Sequence, residues 1–199
     1  LEFSYETIPN ELVPFDYDTF AAFPGHVEAV VTNLDTGKAE YMEVPRRDEK
    51  FLLLQATCAL PLMFPIYHLD GKPYLDGGAA DAIPFRRAFE QGCDRAVVIL
   101  TKPRDFVRKA EKLQRLIERR YREYPNFCQT MRERAEKYNA DKEELFELER
   151  QGKVLIFAPD SLHGVGRIEH NVEKLRLLWG EGYQHGVERM EELESFLGR

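Results

Sequence analysis

The chain has 199 residues, 43% of them hydrophobic, which is the length of one domain with enough apolar side chains for a real core. A net charge of −7 argues against general nucleic-acid binding, and no apolar run approaches the roughly 18 residues that a transmembrane helix needs. The three cysteines, Cys58, Cys93 and Cys128, are odd in number and far apart, which predicts reduced thiols in a cytoplasm and fits no zinc spacing. Cys58 has apolar neighbours and reads as a core thiol.

The N-terminus, Leu1-Glu2-Phe3, has neither an initiator Met nor a basic-then-apolar leader, so a fragment of a longer protein is expected. Pro9, Pro14 and Pro24 among six aromatic residues predict a loop-rich wrap over residues 1–24, with a short helical turn at Tyr17–Ala22. Residues 27–33 and 38–44 read as an antiparallel strand pair joined at Asp35-Thr36-Gly37. Asp48 can cap a helix starting at Glu49.

That helix runs into Ala56-Thr57-Cys58-Ala59-Leu60-Pro61, where the Pro61 ring and missing N–H predict its stop. Pro65 keeps the following backbone extended. Residues 66–69 and 72–75 flank Asp70-Gly71, a hairpin signal, because glycine accepts the positive φ such turns require. The second arm ends in Asp76-Gly77-Gly78. On those three residues alone, Asp76 reads as a turn residue accepting local backbone N–H bonds.

The longer string changes that reading. Ala56 to Pro61 with Phe64-Pro65, then Leu75-Asp76-Gly77-Gly78 and Pro84, resembles the bacterial branch of the patatin-like phospholipases. Ile8 to Leu12 with Pro14-Phe15-Asp16, and Thr32 to Gly37, are similar to the same family. The resemblance is specific over residues 56–85 and loose beyond 105. It implies an α/β fold, a patatin-like sheet with flanking helices, incomplete at its N-terminus. The 199 residues are then the C-terminal part of a single domain, with a helical region, 105–150, inserted between two strands. The resemblance also implies acyl-ester or phospholipid hydrolysis by a Ser–Asp dyad without a cofactor. It assigns the dyad acid to Asp76, with Gly77, Gly78, Pro61 and Pro65 as structural support. The serine is not assigned: Ser4, Ser161 and Ser195 all lie outside any Gly-x-Ser-x-Gly elbow, and no glycine-rich oxyanion loop is present. Both are expected in an N-terminal remainder of the same protein.

Beyond the turn, Pro84 fits the start of a helix over 85–91 that Gly92 ends. Residues 96–100 and 154–157 are continuous apolar runs, expected as buried strands of one α/β sheet with Asp76 near its strand ends. Between them, Phe106, Ala110, Leu113, Ile117, Tyr121 and Tyr124 predict one amphipathic helix over 105–124, followed by two more after Pro125. Residues 102–122 hold nine Lys or Arg against three acids. The plain reading is a packed helix with a solvated basic face. The sharper one is an anionic membrane surface met by Arg115, Arg119 and Arg122, with peripheral association. A last helix over 171–197 carries Gly180, Gly182 and Gly186, which suggest close packing or a break near 180–182.

A Ser–Asp dyad needs no histidine, so His26, His68, His163, His170 and His185 read as surface or packing residues, with only His68 placed near the site. Two alternatives stay open. A domain that kept Asp76 without a serine would be a lipid-binding or scaffolding module. A hard cation held by Asp70, Asp76 and Asp81 would give a metal-dependent hydrolase, although no His accompanies them.

Overall fold

Local turn chemistry sets the first half of the chain in the computed structural model, which describes residues 2–48, 50–166 and 168–198. The Asn33 side-chain oxygen accepts from the Asp35 and Thr36 amides at 2.9 and 3.2 Å. This reverses the chain between β1 (Glu28–Asn33) and β2 (Ala39–Glu43), paired antiparallel from Glu28↔Glu43 to Thr32↔Ala39. At Asp70-Gly71 both residues have positive φ, 50° and 76°, and join β3 (Tyr67–Leu69) to β4 (Lys72–Asp76). β4 also pairs with β1, giving an antiparallel sheet in the order β2-β1-β4-β3.

This sheet belongs to the first of two units, residues 1–82 with 109–138. Successive residues of β4 point to opposite faces. Tyr74 joins Ala29, Val31, Val44, Leu53 and Ala56 in one core cluster. Leu75 joins a second with Leu34, Ala59, Ile117, Phe127 and Met131. The N-terminal stretch is more helical than expected: a π-helical segment (Phe3–Leu12) precedes α1 (Tyr17–Ala22). Its rings do pack as a group, with Phe15 5.0 to 6.0 Å from Tyr17, Phe20 and Phe51.

The expected helix start at Glu49 lies outside the described residues. The Asp48 carboxylate accepts from the Lys50 and Leu52 amides ahead of α2 (Leu52–Thr57). Pro61 is not what stops α2. The helix ends at Thr57, and Pro61 begins a separate turn in which the Leu60 carbonyl accepts from Met63 and Phe64. Cys58, at the helix end, is exposed rather than in the core.

The second unit comprises residues 83–108 and 139–199. It holds α3 (Phe85–Glu90) and the parallel pair β5 (Ala96–Ile99) and β6 (Val154–Phe157), in register Ala96↔Val154. These two strands form a sheet of their own, so Asp76 does not share a sheet with them. The long helix expected over 105–124 shrinks to α4 (Gln114–Arg120). Its first half is claimed from outside: the Asn139 side chain bonds both the N–H and the C=O of Arg108, and Lys142 donates to the Arg104 and Phe106 carbonyls. Backbone groups satisfied in this way do not need a helix. Conversely, the two helices expected after Pro125 are one, α5 (Pro125–Arg150), because no Gly or Pro interrupts residues 126–150.

The C-terminal helix breaks at Arg189, between α6 (Val172–Glu188) and α7 (Met190–Leu197), not at Gly180–Gly182. Asn171 caps α6, its side-chain oxygen accepting from Glu173 and Lys174. Among the described residues, nothing beyond the helix's own backbone lies within 4 Å of where a Cβ would stand on Gly180, Gly182 or Gly186, so these glycines do not mark close packing.

Candidate active site

Asp76 closes β4 opposite Val31, and its own N–H donates to the Ala59 carbonyl at 2.9 Å. The two halves of the sequence motif therefore meet through one backbone bond. The next three residues, Gly77–Ala79, form a 3-10 turn. Asp76 is half-buried, and its Oδ1 accepts from the Gly78 N–H at 2.7 Å. The capping role read from Asp-Gly-Gly alone is present.

The two glycines face different obstacles, a backbone at Gly77 and a side-chain end at Gly78. A Cβ on residue 77 would lie 2.1 Å from the Val30 carbonyl oxygen, which also accepts from the Thr57 hydroxyl. A Cβ on residue 78 would lie 2.9 Å from Asp76 Oδ1. Such distances exclude a side chain unless something shifts.

Thr32, fully buried on β1, fixes the turn from below. Its hydroxyl donates to the Asp76 carbonyl at 2.8 Å and accepts from the Ala80 N–H at 3.2 Å. Arg134, from α5, donates through Nε to the Gly78 carbonyl at 2.8 Å. The sequence assigns neither residue a place beside Asp76, although Thr32 opens one of the stretches similar to the family. A threonine in a strand and an arginine in a helix carry no signal until the chain brings them to the turn.

The other two carboxylates considered as metal ligands go elsewhere. Asp70 sits in the β3–β4 turn at the opposite end of β4. Asp81 is buried, accepts from the Tyr41 hydroxyl at 2.5 Å, and has Lys137 Nζ at 4.0 Å. Among the described residues no three of His, Cys, Asp and Glu gather as a metal centre. His68 is exposed and pairs with Pro73, three residues up β4 from Asp76, or about 10 Å along a strand. It is therefore not beside the site.

Pro61 and Pro65 lie in the segment between α2 and β3, which leads from Ala59 into the hairpin that ends at Asp76. Near the sheet, burial and the Glu40 carboxylate push the Tyr74 phenol well above its ordinary value. Tyr5 is pushed up to about 12 by burial and by its contact with Cys58. Burial also raises the Cys128 thiol.

The second unit has its own concavity, a cavity of about 600 Å³ at the C-terminal ends of β5 and β6. Leu100, Phe157, Leu178 and His185 line it, together with His163, whose Nε2 lies 2.6 Å from Glu181 Oε2.

Residues 124–198 match a domain of unknown function (DUF6363). The uncharacterized protein YjjU of Escherichia coli (strain K12) is 34% identical over 98 residues, covering 43% of this chain and 28% of that protein. The chain thus matches less than a third of that relative's length. Residues 2–89 match the model of the patatin-like phospholipases. This matched segment carries Asp76, its two glycines and the strands that hold them, and over it the chain is similar to the patatin-like phospholipases.

Proposed function

We propose that this chain is the C-terminal part of a lipid acyl hydrolase and supplies the acid of a Ser–Asp dyad, Asp76. The reading is carried by one observation: within the family match, Asp76 ends a strand in a tight turn where a side chain on Gly77 would strike the Val30 backbone and one on Gly78 would strike the Asp76 carboxylate itself. Such a carboxylate can take the proton of a serine hydroxyl as its oxygen attacks an ester carbonyl. The backbone donors for the resulting oxyanion, and the serine itself, are assigned to the remainder of the same protein. The substrate class is an acyl ester of a lipid, and the compartment is the cytoplasm.

Asp76→Asn in the intact protein is the test. The variant should fold and lose on the order of 10²–10⁴-fold in kcat on an acyl ester, the usual range for removing a general base. A folded Asp76→Asn protein with unchanged kcat would leave the lipid-binding or scaffolding module as the correct reading.

The basic residues on and after α4 support a further part of the proposal, contact with an anionic membrane. Arg115, Arg119 and Arg122 are exposed, while Ile117 and Tyr121 of the same stretch are buried in the core. Each arginine close to an anionic surface contributes about 1 kcal/mol. The protein should therefore float with anionic vesicles at low salt, and reversal of the three to Glu should abolish that binding. Equal flotation with zwitterionic vesicles would reduce the three arginines to a solvated face.

A further inference from the structure

The family match ends at residue 89 and the match to a domain of unknown function starts at 124, yet the unit that contains Asp76 includes residues 109–138. The first turns of α5 are thus built into the body that carries the Asp76 turn. Phe127, Cys128 and Met131 sit in the core cluster with Leu34, Leu75 and Ala79. Asn126 donates to the Asp35 carbonyl at 2.7 Å, and Thr130 to the Gly37 carbonyl at 2.6 Å.

Arg134 continues this face of the helix. Residues 127, 131, 134 and 138 follow one another at steps of three and four, so an apolar side chain would be expected at 134. The arginine side chain is nevertheless only 10% exposed. A buried guanidinium is costly unless its donors are met. Its Nε meets the Gly78 carbonyl at 2.8 Å, and its Nη1 lies 3.7 Å from Glu111 Oε2. Its Nη2 is 3.8 Å from the point where a Gly78 Cβ would stand, the same point that is 2.9 Å from Asp76 Oδ1. The guanidinium therefore flanks the residue whose N–H holds the Asp76 carboxylate.

We infer that Arg134 is a positioning residue for Asp76: it anchors the carbonyl of Gly78, and by holding that residue's backbone it fixes the Gly78 N–H that sets where the carboxylate points. The stretch matched only as a domain of unknown function thereby supplies a working part of the patatin-like site. The clamp itself stands on geometry; its effect on catalysis rests on the Ser–Asp reading above.

The experiment compares Arg134→Met and Arg134→Lys in this chain by amide hydrogen exchange. Arg134→Met should speed exchange at Gly78 by about tenfold, the scale of one lost hydrogen bond to a charged donor. The β1 amides and the global unfolding midpoint should stay near wild type. Arg134→Lys keeps a charged donor and should fall between. In the intact protein, Arg134→Met should lower kcat by about 10- to 100-fold with KM within about twofold, and Arg134→Lys should recover part of it. Wild-type exchange at Gly78 in a folded Arg134→Met protein would overturn the inference. So would acceleration of all amides together, which marks a merely structural residue. If Arg134→Met does not fold, Arg134→Lys decides on the same two readouts. An Asp76→Asn protein with full activity would remove the dyad but leave the exchange result standing, so the two failures are distinguishable.

Discussion

Two glycine-rich stretches of this chain do opposite things. At Gly77-Gly78 the missing side chains make room: one Cβ would strike the Val30 carbonyl, the other the Asp76 carboxylate. At Gly180, Gly182 and Gly186 the missing side chains make room for nothing, because each glycine faces open space on α6. Glycine content alone does not separate the two cases. What separates them is whether another backbone or a working side chain occupies the space a Cβ would take.

The largest expected effect follows from the closest approach. Gly77→Ala would place a methyl 2.1 Å from a backbone oxygen that Thr57 also uses. Neither β1 nor the turn can yield cheaply, so the variant should lose about 1–3 kcal/mol or more of stability in denaturant titration. Gly78→Ala separates stability from function. Its methyl meets the end of a side chain, which can rotate away, so the stability loss should be smaller than at Gly77. The displaced Asp76 carboxylate should still cost activity in the intact protein, seen as a fall in kcat. If Gly77→Ala were no more destabilising than Gly78→Ala, the distinction between a backbone obstacle and a side-chain obstacle would fail.

The contrast also explains which parts of the molecule were legible beforehand. The hairpins were readable because their causes are local: Asn33 bonds its own turn, and Asp70-Gly71 takes positive φ. β6 is readable from Val154 to Phe157 because the apolar run is only four residues long, follows Gly152 and precedes Pro159, and holds the β-branched Val154 and Ile156. The sequence misleads over residues 105–108, expected as helix, because Asn139 and Lys142, more than 30 positions away, hold the backbone groups of Arg108 and Phe106. Of the site, the sequence motif carried Asp76 and its glycines. Thr32 and Arg134 were silent, since their roles exist only once β1 and α5 arrive at the turn. The three α6 glycines were misread because their spacing suggests packing, while the environment that would require it is not in the sequence.

The smallest effect tests the other side of the comparison. In α6 a glycine costs roughly 1 kcal/mol of helix propensity relative to alanine. At Gly180, Gly182 and Gly186 the backbone is helical and the Cβ position is open, so alanine fits without strain. Alanine also lowers the conformational entropy of the unfolded chain. Each substitution should therefore stabilise the protein by about 0.4–1 kcal/mol, read as a higher denaturant midpoint with an unchanged slope. Gly182 and Gly186 stand one turn apart on the same helix face, so a double substitution there is where departure from additivity should appear first. Gly182 also borders the cavity at the ends of β5 and β6. A destabilising alanine at Gly182 alone would show that this cavity is filled in solution, and that the space left by that glycine is occupied after all.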